Sequence, residues 1–134
     1  MKRLIIAVIA VMTLLVACQS GGDQPTDPAA VMDAYTATIN AHDVEKALSY
    51  VAADAVYHRP AGEFKGKEEI RGFIEGLIAR NVKVELIGER TVDGERVTWQ
   101  SHVTLENPAQ EIMNNSESIV RDGKIVMHTA QAAQ

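Results

Sequence analysis

Two side chains on predicted strands have the acid–base chemistry that proton transfer requires. His58 ends a short β-prone run, and an imidazole has a pKa suited to general-base catalysis. Neighbouring strand residues point to opposite faces, so only one of His58 and Arg59 faces a pocket unless a bulge intervenes. Glu117 lies among apolar neighbours, where burial would raise its pKa and make it a hydrogen-bond donor. The alternative for Glu117 is a register in which Ser118 and Val120 face inward.

The alternation of side chains on two predicted strands identifies residues for lining a pocket. One face of the earlier strand carries Val97, Trp99, Ser101, Val103 and Leu105. Trp99 therefore points with the apolar set, where its indole N–H needs a partner if it is buried. One face of the later strand carries Met113, Asn115, Glu117 and Ile119. We expect Trp99 and Met113 to line a pocket, with a plain core position as the alternative for Trp99.

Several kinds of chemistry are not indicated by the sequence. No pair among the four histidines has recognisable metal-ligand spacing. The chain also lacks a glycine-rich phosphate loop and a Gly-x-Ser-x-Gly nucleophile motif. The formal net charge is -5, and no basic patch of the nucleic-acid kind is present. We therefore expect no metal, no cofactor and no nucleic-acid partner.

The first residues are typical of an exported protein. Lys2 and Arg3 precede an uncharged stretch from Leu4 to Ala17, which is the layout of a signal peptide. This stretch of about 14 residues is shorter than the roughly 18 to 20 that a permanent membrane-spanning helix needs. Cys18 follows it and is the only cysteine, so no intrachain disulfide can form.

The residues at this point, Leu15-Val16-Ala17-Cys18, resemble the lipobox of bacterial lipoproteins. The resemblance implies that residues 1–17 are removed, that a diacylglycerol is attached to the Cys18 sulfur, and that the new amino terminus is often acylated, with palmitate as an expected acyl group. These chains would hold the protein at a membrane of the cell envelope. Gln19 stands where an Asp would resemble an inner-membrane retention signal, so the outer membrane is favoured. The alternative is an ordinary secretory signal followed by an incidental thiol.

The remaining chain predicts a polar linker and then helices. Residues 18–27 comprise Cys18 and a small, polar, turn-prone stretch that is typical of a flexible spacer. Asp27 as a cap and Pro28 at the first position predict a helix to about Ala41, and Asp43 can cap a short second helix. From Gly66 onward, apolar residues recur at the spacing of an amphipathic helix. They are Ile70, Phe73, Ile74, Leu77 and Ile78.

Beyond Asn81 the chain reads as strands. Asp93-Gly94 and Asp122-Gly123 favour tight hairpin turns. The strands are predicted near 82–92, 95–105, 111–121 and 124–129. The result is an antiparallel meander packed against helices, an α+β domain over 28–130 followed by a tail at 131–134.

Four segments in this order resemble the nuclear transport factor 2-like superfamily. They are Tyr35–Asp43, Ala53–Pro60, Gly66–Phe73 and Arg121–Ile125. Within the superfamily the chain is similar to SnoaL-like polyketide cyclases and, more distantly, to ketosteroid isomerases. The resemblance implies a cone-shaped fold, in which a curved antiparallel sheet wraps around helices and leaves a pocket at the open end.

The resemblance also implies roles for individual residues. Ketosteroid isomerases use a helical Tyr and a strand acid to stabilise an enolate, and a carboxylate before a Pro to move the proton. Tyr35 falls at the tyrosine and Glu117 near the acid, so we expect the two to approach each other inside the cone. The position before the Pro falls on Arg59, which cannot accept a proton. In SnoaL-like sequences a pocket-facing residue aligns with His58 and a pocket histidine with His128.

Three functions remain open at this stage. The first is a cell-envelope lipoprotein that binds a small, largely apolar molecule. The second is a cyclase- or isomerase-type enzyme, with His58 as base and Tyr35 and Glu117 as enolate stabilisers. The third is a non-catalytic interaction domain, and a homodimer is expected from the resemblance alone. The fold cannot choose among them, because enzymes and non-enzymes share it.

Overall fold

The structure is a computed structural model that describes residues 24–134. The predicted signal peptide and Cys18, the predicted lipidation site, lie outside the described residues. No helix within 24–134 combines the length and the apolar character needed to cross a membrane. In chain order the elements are α1 (Pro28–Asn40), α2 (Val44–Ser49), β1 (Val51–Arg59), β2 (Gly62–Lys65), α3 (Gly66–Ala79), β3 (Lys83–Asp93), β4 (Arg96–Leu105), β5 (Gln110–Arg121) and β6 (Lys124–Ala132).

The first two helices begin where the sequence supplies a cap. The Asp27 carboxylate accepts a hydrogen bond from the backbone amide of Ala30 at 3.0 Å, and Pro28 occupies the first helical position. The Asp43 carboxylate accepts from the amide of Lys46 at 3.1 Å. Local chemistry therefore determines where α1 and α2 start, as the sequence predicts.

The six strands form one mixed sheet in the order β2-β1-β6-β5-β4-β3. The pairings of β3, β4, β5 and β6 in sequence are antiparallel, as is that of β1 with β2. The sheet is not antiparallel throughout, however, because β1 runs parallel to β6. Between β1 and β6 the chain runs through β2, α3 and the strands β3 to β5. A parallel pair of strands requires such a long crossover connection. β2 was not among the predicted strands.

Irregular positions bend this sheet around the helices. The β3–β4 pairing shifts register between Ile87 and Thr91, and Gly88 there has a φ of 67°. That conformation is open to glycine without steric cost, and the resulting bulge bends the strand. At the β5–β6 turn, Asp122 and Gly123 both have positive φ, which is the conformation that a tight hairpin turn requires.

The helices pack on the concave face of the sheet and leave two unlike ends. The closed end carries the β3–β4 and β5–β6 turns, and the open end carries the β1–β2 turn, the β4–β5 connection and the end of α3. Fully buried side chains from the helices and strands fill the core between them. The largest are Met32, Tyr57, Ile70, Ile74 and Ile125.

The last residues of the predicted linker are docked on the closed end. Gln24 donates a hydrogen bond to the Ser49 hydroxyl at 3.0 Å and accepts one from Lys124 Nζ at 3.1 Å. These contacts join Gln24 to α2 and β6, and the flexible spacer over residues 18–27 stays a prediction. At the other terminus, β6 continues to Ala132, so the strand takes up half of the predicted tail.

Candidate functional site

The open end of the cone contains a cavity of about 550 Å³ between the concave face of the sheet, α1 and α3. This volume lies within the range of about 300–1,000 Å³ that small-molecule sites occupy. Most of its wall is apolar. The apolar lining includes Met32, Ile39, Phe73, Leu77, Val82, Val84, Trp99, Val103, Leu105, Ile112 and Ala130.

His128 on β6 is the buried histidine of this wall. Its Nδ1 lies 2.7 Å from the Ser118 hydroxyl, and its ring stacks on Trp99 with centroids 5.6 Å apart. Burial, together with the positive charge of Arg59, holds the pKa of His128 well below its usual value. The ring is therefore neutral at physiological pH.

Two phenols lie beside this histidine. Tyr35 on α1 lines the cavity, and burial raises the pKa of its hydroxyl. Tyr57 on β1 is fully buried, and its ring meets His128 edge-on at 5.0 Å. Burial raises the pKa of Tyr57 well above its usual value, with a further contribution from Tyr35. Both groups therefore remain protonated and able to donate.

Arg59 carries the positive charge that faces this cluster. Its guanidinium carbon lies 4.7 Å from the Phe73 ring centroid and 5.9 Å from that of Tyr57. Nε is buried without a hydrogen-bond partner among the described residues. Burial lowers the pKa of Arg59, although a guanidinium stays protonated at physiological pH. No Asp or Glu among residues 24–134 lines the cavity, so this charge has no carboxylate within the wall.

A second buried arginine, Arg90 on β3, lies behind Trp99 and outside the lining. Its guanidinium carbon is 4.5 Å from the Trp99 ring centroid, and Nε donates to Asp33 at 2.8 Å. One Nη also donates to the Thr36 hydroxyl at 3.2 Å. Sequence reasoning did not identify this group, because the partners of Arg90 come from α1, more than fifty residues away in the chain.

The structure reverses the expected roles of His58 and Arg59. His58 is on the outer face of β1, where its Nδ1 lies 3.0 Å from Glu63 on β2 and the side chain is 41% exposed. Arg59 shares the inner face with Tyr57, two residues earlier, since side chains alternate along the strand. Tyr57 is aromatic and β-prone, and it shares a face with Arg59. This was the sequence signal that would have identified Arg59 as a cavity residue.

Glu117 and Met113 also lie on the outer face, so the register expected for β5 is wrong. Trp99 pairs with Ser116, and directly opposed residues of a sheet share a face. Glu117 instead lies 3.6 Å from Arg96, and Met113 is 45% exposed. The predicted approach of Tyr35 and Glu117 inside the cone therefore does not occur.

Of the six residues predicted for the pocket, the structure brings together Tyr35, Trp99 and His128 in the cavity wall. It adds Arg59 and leaves out His58, Met113 and Glu117. Among residues 24–134, no three His, Cys, Asp or Glu side chains are grouped as ligands for a metal ion.

Comparison with protein families gives a match over most of this domain. A family model described as a SnoaL-like domain matches residues 32–128. No curated protein matches the chain. The matched segment contains every cavity residue of α1, β1, α3, β3, β4 and β5 together with His128.

Solved structures share the fold at low sequence identity. A protein of Kribbella flavida has a TM-score of 0.72 at 21% identity, covering 81% of this chain and 88% of its own. A protein of Sinorhizobium meliloti provisionally named a polyketide cyclase has a TM-score of 0.68 at 22% identity, covering 75% and 93%. Another Kribbella flavida protein, provisionally named a ketosteroid isomerase, has a TM-score of 0.70 at 17% identity, covering 80% and 78%. At these identities the likeness shows the fold alone.

Proposed function

The chain belongs to the SnoaL-like family, and we propose that it is a lipid-anchored protein of the bacterial cell envelope whose cavity binds a small, largely apolar molecule. The observation that carries the proposal is the cavity of about 550 Å³, whose largely apolar wall also carries polar groups such as Tyr35, Arg59 and His128. This combination is typical of sites that bury most of a ligand and orient it by few polar contacts.

Binding without turnover is the function that the cavity residues support best. Proton transfer next to a carbonyl needs a base within reach of the ligand. Arg59 cannot accept a proton, and no carboxylate lines the cavity among residues 24–134. The remaining acceptor is His128, whose lowered pKa makes it a weak base. The expected enzyme with His58 as base loses support, since that side chain lies on the outer face.

The position of residues 24–27 supports a specific orientation at the membrane. They dock on the closed end beside Ser49 and Lys124, whereas the cavity opens at the other end of the sheet. A lipid on Cys18 would be attached only six residues before Gln24, within a reach of about 20 Å. The proposed anchor thus directs the mouth of the cavity away from the membrane, and the ligand enters from the aqueous side.

The ligand can be tested by mass spectrometry of small molecules that co-purify with the full chain from its native host. Val103→Trp places an indole in the cavity, because Val103 lines it. Thr104→Trp places the same side chain on the outer face and serves as the matched control. We expect an apolar compound with the wild type and with Thr104→Trp, and its loss with Val103→Trp.

Two results would contradict the proposed binding function. One is a wild-type protein that carries no small molecule and gains none when it is incubated with a lipid and metabolite extract of the host. The other is a compound retained equally by both tryptophan variants, which would locate its binding outside the cavity.

The anchor is tested separately by metabolic labelling with a tagged fatty acid. Cys18→Ala removes the thiol to which a diacylglycerol would be joined, so we expect the label to disappear from this variant. A Ser20→Ala variant is the control and should keep the label. Undiminished label in Cys18→Ala would exclude lipidation at this cysteine.

A further inference from the structure

The wall of the cavity contains a positive charge for which the protein supplies no partner. The guanidinium of Arg59 lies against the rings of Phe73 and Tyr57, and its Nε is buried without an acceptor among the described residues. A guanidinium offers five N–H donors and no acceptor. Burying part of such a group without an anion is unfavourable, because the hydration lost there is not replaced.

The other arginines near the cavity do not have this property. Arg80, at the rim, donates to the carbonyls of Glu106 and Pro108 and to the side chain of Gln110. Arg90, behind Trp99, donates to the carboxylate of Asp33. Arg59 differs from both, since its side-chain Nε has no hydrogen-bond partner within residues 24–134 and no carboxylate lines the cavity.

The groups around Arg59 are donors or neutral. Tyr35 also lines the cavity, and its buried phenol stays protonated. The hydroxyl of Tyr57, behind the cavity wall, also stays protonated. His128 is neutral, so it adds no second positive charge to that of Arg59. Charged and neutral donors in the wall of a largely apolar cavity match an acceptor that carries negative charge.

We propose that the cavity selects organic acids, and that Arg59 binds the anionic oxygen group of the ligand while the apolar wall holds its body. This inference rests on the proposed ligand-binding function and deepens it by naming the ligand's charge. The whole protein has a formal net charge of -5, so the attraction for an anion is local to the cavity. Aromatic acids and fatty acids share this chemistry, and the wall alone does not distinguish them.

The test compares acids with their uncharged amides of nearly the same shape. Affinities of the full chain in lipid nanodiscs are measured by calorimetry, with empty nanodiscs as the blank. One pair is 2-naphthoate and 2-naphthamide, and the other is decanoate and decanamide, which separate a flat body from a flexible one. We expect at least one acid to bind about 10- to 100-fold more tightly than its amide, the range of a hydrogen bond to a charged group.

Variants identify the residue that selects the charge. Arg59→Met should lose the preference by weakening the acid while the amide still binds, and Arg59→Lys should keep part of it, since it retains charge without the planar fork. Arg71→Met is the matched control, because Arg71 pairs with Glu45 outside the cavity. It should bind all four probes as the wild type does.

Each outcome distinguishes this inference from the function on which it rests. Equal affinities for acid and amide in the wild type would overturn the inference and leave an apolar binding site. No binding of any of the four probes would overturn both. A preference that survives Arg59→Met and disappears in Arg80→Met would show that the rim arginine selects the charge. If Arg59→Met does not fold, the wild-type comparison and Arg59→Lys still decide.

Discussion

Two arginines, Arg90 and Arg59, lie in similar surroundings, but the protein supplies a carboxylate partner only for Arg90. Each guanidinium lies over an aromatic ring, at 4.5 Å from Trp99 and at 4.7 Å from Phe73 respectively. Each also has one buried nitrogen without a partner among the described residues. Arg90, however, is paired with Asp33 at 2.8 Å, whereas Arg59 has no acid beside it.

The difference separates an arginine that holds the fold together from one that is left available to a ligand. Arg90 links β3 to α1 through Asp33 and Thr36, and so closes the cone behind Trp99. The helix that faces Arg59 is α3, which presents the apolar Phe73 and Leu77 to the cavity instead of an acid. The charge of Arg90 is thus paired within the protein, whereas the charge of Arg59 is available to a bound molecule.

The largest expected effect is on stability, and it compares Arg90→Met with Arg59→Met. The first variant loses the stacking on Trp99 and the hydrogen bonds to α1, so we expect the free energy of unfolding to fall by about 2–3 kcal/mol. The second removes an uncompensated buried charge, so we expect a change within about 1 kcal/mol, in either direction. Urea denaturation of both variants measures the difference. Equal losses would mean that Arg59 is also a structural residue.

A smaller effect concerns pH, through the histidine that lies near both arginines. Burial first, and then the charge of Arg59, holds the pKa of His128 well below its usual value. Above about pH 6.5 the ring is neutral in both the folded and the unfolded protein. Below that pH the unfolded chain binds a proton that the folded protein does not, so stability falls as pH falls, by up to about 1.4 kcal/mol per pH unit.

The measurement is the free energy of unfolding between pH 7 and pH 5. His128→Gln should flatten the dependence on pH, even if it lowers stability overall. In histidine NMR titrations, Arg59→Met should raise the pKa of His128 more than Arg90→Met does, because the charge of Arg59 contributes more to the lowered pKa. The reverse order would contradict the arrangement of charges described here.

Much of the fold could be predicted because its signals are local. The caps at Asp27 and Asp43 and the apolar spacing in α3 identify the helices, and the Asp-Gly pairs identify two turns. The face of β4 that carries Trp99 could also be predicted, since large apolar residues alternate with polar ones along that strand. The parallel pairing of β1 with β6 could not, because it joins segments more than sixty residues apart.

The candidate site was predictable only in part, for a related reason. On β5 both faces combine apolar and polar residues, so a period of two fits either register. One face carries Ile112, Ser116, Ser118 and Val120, and the other carries Met113, Glu117 and Ile119. Pairing with β4 placed Ser116 and Ser118 inside and Glu117 outside. The same ambiguity applied to the adjacent residues His58 and Arg59. Alternation requires that they point to opposite faces of the sheet, but it does not determine which of them faces the cavity.

By itself, then, the sequence determined the helices, the turns, the inner face of β4 and the expectation of a signal peptide over residues 1–17, just before Cys18. These depend on residues that are close in the chain, where capping, side-chain period and turn conformation act directly. Only the tertiary structure decided which polar side chains face the cavity and which arginine finds an acid. The partners that decide them, Ser116 opposite Trp99 and Asp33 beside Arg90, are brought into contact by folding across long stretches of chain.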